Sequence, residues 1–334
     1  MMKYLELENL LFPNIMKNRV NLFSKKISLI CIFVLNIVIP VFSFSNFWWN
    51  ISLNFEGKTG STDELVFENN KKISLLEWET PFLPAISFRN QLGLSNFVFD
   101  IFYSSAIPVK MGTMCDYDYI LGTSNNISNF SKHELFVDKD FSVGTNFGWK
   151  SLCFEKIFFI PNIGFSYTNK KFSAQNGYLQ YPQNGNSWTG NEDKENLLGT
   201  VISYEQSIWT ISVGMKFGLK ITEDFQFGLE TKYYPYVHID SIDSHFLRQV
   251  QFYDSMKKGC GGKLIFDINA FPFQTNKELG LKISCIYEKI SCRGLSYFAN
   301  IGLSSSSFTK LDNVVSGLDS EYFSISVGII FTLT

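Results

Sequence analysis

The sequence predicts an all-β protein, a transmembrane antiparallel β-barrel with extended outer loops, and three observations carry that expectation. Beyond residue 46 the dominant pattern is period-two alternation of apolar and polar residues, the mark of strands with two unlike faces. Charged residues make up 18% of the 334-residue chain against 16% aromatics, so there is little charge to cover the outer face of a soluble sheet protein and lipid becomes a candidate solvent. After residue 45 no segment is continuously apolar for long enough to cross a bilayer as a helix, and only a closed barrel lets strands cross without leaving unpaired backbone groups in hydrocarbon.

The elements follow in chain order. Lys17, Arg19, Lys25 and Lys26 precede an apolar run from Ile27 to Phe42 and then Ser43-Phe44-Ser45, the layout of a cleaved export signal. Residues 1–45 are therefore expected to be a signal peptide, with the true start at Met16, because the stretch before it is long and carries two acidic residues. An uncleaved anchor competes with this reading; Asn36, Pro40 and the small-residue exit favour cleavage. Residues 46–334 are expected to form a single barrel domain, since no internal repeat or low-complexity linker divides them.

Alternation covers Phe47 to Phe55, Ile86 to Leu94, Phe97 to Phe102, Phe136 to Trp149, Ile160 to Tyr167, Trp209 to Leu219, Leu264 to Phe271 and Leu279 to Tyr287. From Phe225, Phe227, Leu229, Thr231 and Tyr233 share one face while Gln226, Gly228, Glu230 and Lys232 share the other, so charge goes to one side only. The last segment sets Phe323, Ile325, Val327, Ile329, Phe331 and Leu333 against a face of mostly small polar residues, as a lipid-facing strand requires. Phe47-Trp48-Trp49 and Tyr233-Tyr234-Pro235-Tyr236 suit aromatic girdles at the membrane interfaces. About 290 residues spread over eight to fourteen strands leave roughly 20 to 36 for each strand and connector, against roughly 9 to 11 needed for a crossing. The surplus implies long loops or walls rising above the membrane, and Thr123 to Lys132 and Gln175 to Asn196 read as outer loops.

A formal charge of −2 gives no reason to expect a nucleic-acid partner. The cysteines after the leader, at 115, 153, 260, 285 and 292, are odd in number and lack metal-site or redox spacing, so at least one thiol should stay unpaired; Cys285 and Cys292 are close enough in sequence to pair.

The three histidines, at 133, 238 and 245, make candidate sites easy to enumerate. In a strand, residues two apart point to the same side, so Asp243 and His245 can converge, the carboxylate orienting an imidazole that acts as general base on water. Asp116 and Asp118 have the same spacing, and two like charges held together repel unless one keeps a proton or both share a water. If the pairs faced each other across the barrel mouth, a water between them would be poised to attack a peptide carbonyl. Each motif alone is more often a solvated turn or cap, and a metal site drawn from His238, Asp240, Asp243 and His245 is compatible with the same spacing.

These motifs sit inside a longer ordered pattern. Gly60, Thr62, Glu64 and Val66 precede Lys72-Ile73-Ser74-Leu75-Leu76-Glu77-Trp78; then come Met114-Cys115-Asp116-Tyr117-Asp118, Ser131-Lys132-His133, Tyr204-Glu205-Gln206 and Asp243-Ser244-His245. In order and spacing this resembles the omptins, outer-membrane proteases, over essentially the whole chain after the leader. The resemblance implies a ten-stranded barrel that hydrolyses peptide bonds by direct attack of an activated water, without cofactor or metal, and works as a monomer in the outer membrane with its active site facing the exterior. It implies that Asp243 and His245 form the water-activating dyad, that Asp116 and Asp118 oppose it, and that Ser131 and His133 assist. Glu64 would stand at the base of a pocket for a basic side chain before the scissile bond, where a buried carboxylate recovers its desolvation cost only by pairing with Lys or Arg.

The pattern also departs from the family. Ser241 stands at a usually acidic pocket position two before Asp243, with Asp240 one step away as its substitute; Asn129 stands at another usually acidic position. Tyr167 and Asn169 stand where an acidic and a basic lipopolysaccharide-binding residue are expected, and the sequence ends in Thr334 rather than the terminal aromatic common in outer-membrane barrels, although Phe331 lies close by. These departures imply relaxed specificity and weaken any dependence on that lipid. Partners are expected to be peptide or protein substrates and outer-membrane lipid. The rival functions are a catalytically silent barrel acting as adhesin or pore, and a metal-binding surface protein.

Overall fold

The computed structural model describes residues 47–119, 126–182, 186–222, 224–272, 278–301 and 308–333, without the side chains of 152 and 153. The expected leader lies outside the described residues.

The described residues form strands and their connections. The strands are β1 (Phe47–Glu68), β2 (Lys71–Leu94), β3 (Phe97–Ala106), β4 (Val109–Tyr119), β5 (Ile127–Trp149), β6 (Ser151–Phe154), β7 (Ile157–Gln180), β8 (Glu195–Asn196), β9 (Thr200–Lys220), β10 (Phe225–His245), β11 (Val250–Ala270), β12 (Leu279–Asn300) and β13 (Thr309–Leu333). Every pairing is antiparallel, and β1 pairs with both β2 and β13, the latter from Trp49↔Leu333 to Glu68↔Val314, so the sheet closes. The two short strands β3 and β4 share one place in the wall, both flanked by β2 and β5. Pro108 between them has no N–H to give to a ladder, which suits a break there. Counting them as one, the ring passes through ten strands, the number implied by the family resemblance.

The side chains are arranged inside out. Leu53, Phe55, Ile86, Phe88, Ile163, Leu229, Ile325, Val327 and Ile329 are exposed on the outer face, while Asn54, Glu56, Asp100, Asn146, Glu230, Asp267, Ser324 and Ser326 are buried at neighbouring positions facing in. An outward apolar belt around a polar lumen is stable only against lipid. Within the lumen charges are paired: Arg89 lies 2.7 Å from Asp100 and 3.2 Å from Glu230, and Lys282 lies 3.4 Å from Asp267.

Above this charged level comes an apolar layer of Trp78, Leu83, Met114, Leu135, Val137, Phe172, Ile208, Val237, Ile239, Met256 and Leu318, all buried. The order is legible along single strands. On β10 the inward residues run Glu230, then Val237 and Ile239, then Ser241, Asp243 and His245; on β5 they run Asp140, then Val137 and Leu135, then His133 and Ser131. The layer is the floor of a chamber at the far end of the wall and separates it from the lumen beneath.

Ladder strands of 21 to 25 residues such as β10 and β13 span roughly 70 to 80 Å at about 3.3 Å per residue, which even at a tilt of about 45° leaves about 50 Å along the membrane normal against ~30 Å of hydrocarbon. The extra length corrects two loop expectations. Residues 127–132 belong to β5 and residues 175–180 to β7, so part of each expected loop is wall. Above the bilayer the outer face meets water, the polar-apolar alternation fades, and strand reads as loop. The thiols at 115, 260, 285 and 292 are free; Cys292 is buried and faces in, whereas Cys285, an odd number of residues away on β12, points to the other face, so the two do not pair.

Candidate active site

The chamber above the apolar floor collects the sequence motifs from separate strands. Glu64 comes from β1, Asp116 and Asp118 from β4, Ser131 and His133 from β5, and Asp243 and His245 from β10. Period two explains the grouping: each pair straddles one outward residue, and each pair faces in. Glu64 lies nine residues beyond the lipid-facing Phe55 on the same strand, roughly 30 Å along the strand and about 20 Å along the membrane normal at a tilt of about 45°, so the chamber stands above the apolar belt at the level of Phe55.

His245 Nε2 meets Asp243 Oδ2 at 2.5 Å. In the neutral ring this contact makes Nε2 the protonated nitrogen and leaves Nδ1 with the lone pair. Burial works against the imidazolium, but the Asp243 carboxylate, together with Asp116, outweighs it and holds the His245 pKa above its ordinary value. Asp116 is pushed up to about 7, first by burial and then by its neighbour Asp118, against the opposing pull of His245 and Arg248. Arg248, three residues beyond His245, lies 3.7 Å from Asp118, so the end of β10 and the end of β4 approach one another across the chamber, and the two motifs bear on each other's protonation. One oxygen of Asp116 and one of Asp243 have no hydrogen-bond partner, leaving acceptors on both sides of the gap.

Asp118 stands nearer the mouth, accepting a hydrogen bond from Asn129 Nδ2 at 3.2 Å and lying 3.7 Å from the Arg248 guanidinium. Asn129, at a position the family resemblance would make acidic, thus adds a donor where a third carboxylate would add repulsion. Ser131 is the cross-strand partner of Asp116, and Met114 that of His133. His133 bridges Ser131 Oγ, 2.9 Å from Nε2, and the Asn176 carbonyl, 2.5 Å from Nδ1. A carbonyl accepts only, so Nδ1 carries the proton and Nε2 accepts from the serine. Burial, partly offset by that carbonyl, lowers the His133 pKa and keeps the ring neutral. The carbonyl is presented by a left-handed turn, Asn176 at φ 53° and Gly177 at φ 96°. A Cβ at Gly177 would collide with the Lys132 carbonyl oxygen, so glycine lets β7 bulge against β5 there.

The floor of the chamber is aromatic. Trp78 stacks between Phe172 at 5.7 Å and Tyr204 at 5.8 Å, which ties the Lys72 to Trp78 motif to the Tyr204 to Gln206 motif. Glu64 is buried beside this stack, its pKa raised well above the ordinary value by burial and then by Asp243, Asp254 and Asp116.

Asp240 is not brought into the chamber. It occupies the opposite face of β10 from Ser241 and Asp243, held 3.2 Å from His238 Nε2 and accepting from Tyr253 Oη at 3.0 Å. The one-step displacement noted in the sequence is therefore a change of face, because side chains alternate along a strand. The same alternation splits the alternative metal set, with His238 and Asp240 outside and Asp243 and His245 inside. Among the described residues no group of three or more His, Cys, Asp or Glu side chains could hold a metal ion.

Two chamber residues carried no signal in the sequence reading. Arg248 sits in the β10–β11 turn, and Asp254 faces in from β11 with only 3% of its surface exposed. Asp254 was open to register arithmetic: a hairpin turning around Leu247 and Arg248 pairs His245 with Val250 and therefore Ser241 with Asp254.

Comparison with known proteins agrees with this architecture. The model of the omptin family matches residues 46–333. The solved outer membrane protease OmpT of Escherichia coli superposes with a TM-score of 0.77 at 16% identity, covering 88% of this chain and 99% of that one. The outer membrane protein OprG of Pseudomonas aeruginosa is more distant, with a TM-score of 0.35 at 11% identity over 87% of this chain and 97% of that one. No curated protein matches the chain in sequence. With a family match running from one end of the barrel to the other, the chain belongs to the omptin family and is an outer-membrane protease with a β-barrel fold.

Proposed function

We propose that the chain is an endopeptidase whose chamber faces the cell exterior and that it hydrolyses peptide bonds with a water activated by Asp243 and His245 opposite Asp116 and Asp118. The observation that carries this reading is geometric: Asp243 and His245 lie 2.5 Å apart on the inward face of β10, and Arg248 from the end of that strand reaches to 3.7 Å from Asp118 on β4. In the proposed step the lone pair on His245 Nδ1 takes a proton from a water also held by Asp116. The oxygen of that water bonds to the scissile carbonyl carbon, the C–N bond breaks, and the imidazolium returns its proton to the leaving amine. Asp243 fixes the ring and stabilises its charged form, as a carboxylate does for a catalytic imidazole. Asp118, Ser131 and His133 set the protonation and position of Asp116. The protein acts as a monomer, and Glu64 receives a Lys or Arg side chain before the scissile bond.

The rival readings are less well supported. A pore needs an open path, whereas the apolar layer from Trp78 to Leu318 crosses beneath the chamber. A metal site needs His238 and Asp240 on the face of Asp243, and they lie on the other. The test is cleavage of a peptide library by refolded protein. His245→Ala and Asp116→Ala are each expected to abolish cutting after Lys or Arg, and unchanged cutting in both would sink the mechanism.

A further inference from the structure

We propose that Asp254 is the second carboxylate of the pocket that receives the basic side chain, acting with Glu64 from the strand beside Ser241. This inference rests on the protease reading for its substrate and on register and burial for its geometry. Ser241 and Asp254 are direct partners in the β10–β11 ladder and share the inward face. The serine is short, so the longer aspartate beside it supplies the acceptor that position 241 lacks. On its other side Asp254 is partnered by Ser296 of β12, another small residue, which leaves the carboxylate room to turn toward the chamber.

The surroundings form a built receptor for a cation. Glu64 and Asp254 are each 3% exposed, and Glu64 Oε2 and Asp254 Oδ1 have no hydrogen-bond partner. Both polar atoms of the Gln206 side chain, the ladder partner of Ser241, are also buried and unpartnered. Buried polar groups are normally satisfied, and several orphans around one space indicate a ligand that satisfies them together. An arginine fork brings five N–H donors and a lysine three, all needing acceptors and negative charge.

Electrostatics supports the same assignment. The charges acting on Glu64 are those of Asp243, Asp254 and Asp116, all carboxylates. Burial and then nearby Asp243 raise Asp254 to about 7, even though serine hydroxyls at 296, 316 and 241 oppose the shift. An empty pocket of this kind keeps protons that it would give up when a basic side chain arrives.

The experiment compares the native protein with Asp254→Asn, Asp254→Ser and the swap Ser241→Asp/Asp254→Ser on a peptide library, with benzamidine binding measured by calorimetry in parallel. Asp254→Asn and Asp254→Ser are expected to lower kcat/KM for Arg or Lys relative to Gln by about 10- to 100-fold, the effect of losing one charge-assisted contact. The swap, which moves the carboxylate one strand over, is expected to restore most of that ratio. Benzamidine should bind the native protein with release of protons and bind both single variants at least about tenfold more weakly.

A basic-to-neutral ratio unchanged in a folded Asp254 variant would overturn the assignment while leaving the protease reading intact. If neither single variant folds, the swap decides, with loss of basic preference counting against Asp254. No cleavage by native protein, together with Asp254-dependent benzamidine binding, would overturn the protease reading and leave Asp254 in place.

Discussion

Asp243 Oδ2 and His245 Nε2 lie 2.5 Å apart on the inward face of β10, and that contact decides which ring nitrogen is free to act. Replacing the carboxylate by an amide keeps the shape and removes the charge. Asp243→Asn is expected to reduce kcat by about 10²- to 10⁴-fold, the usual worth of a positioned acid-base group. It should also move the acid limb of the pH profile downward, because the Asp243 charge is what raises His245. A purely structural role for Asp243 would lower the rate and leave the limb where it was.

Asp118 acts on Asp116 through charge. Burial is the larger cause of the rise of Asp116 to about 7, and Asp118 is the next. The active form needs Asp116 ionised and His245 neutral, so kcat/KM is expected to rise with pH through about 7 and then level off. The two groups influence each other, so the inflections belong to the pair. Asp118→Asn should shift that rise to lower pH by removing a like charge, whereas Asn129→Asp should shift it upward by adding one. A profile fixed at the same midpoint in both variants would contradict this account.

How much of this was legible in the sequence follows from the physics of each part. At membrane depth the two faces of a strand meet opposite solvents, so alternation in Phe323 to Leu333 or from Phe225 showed its orientation directly. Above the membrane that contrast disappears, and the upper parts of β5 and β7 read as loops although their ladders continue from Ile127 and to Gln180. The paired motifs at 116 and 118, 131 and 133, and 243 and 245 could be grouped because a spacing of two is itself a statement about facing. Asp254 was hidden because its partner in the ladder, Ser241, lies across a turn rather than two residues away. Asp240 misled for the complementary reason, being adjacent in sequence and opposite in face.

His238 separates a metal mechanism from a metal-free one. Its imidazole pairs with Asp240 on the outer face, 3.2 Å away, and Tyr253 completes that cluster. His238→Ala is expected to keep kcat/KM within about twofold, as surface changes remote from a site usually do. Cleavage should also persist in a strong chelator. Loss of activity under either condition would restore the ion-dependent reading that the faces of β10 argue against.

The buried acids also predict how stability responds to pH. Burial first, and neighbouring carboxylates next, raise Glu64 well above the ordinary range and bring Asp116 and Asp254 to about 7. In the unfolded chain such groups lose their protons near pH 4, so between about pH 4 and 7 the folded state binds more protons than the unfolded one. Stability contributed by these groups is therefore full below about pH 4 and is lost as pH rises through about 7. Hydrogen exchange of the ladder amides around Glu64 and its two ladder partners, Leu76 and Leu318, should quicken over that interval. Asp254→Asn removes one of the titrating groups and should flatten the dependence, with slower exchange than native at pH 8. Exchange in the native barrel that slows as pH rises, after correction for the intrinsic rate, would show that the cluster does not hold protons at neutral pH.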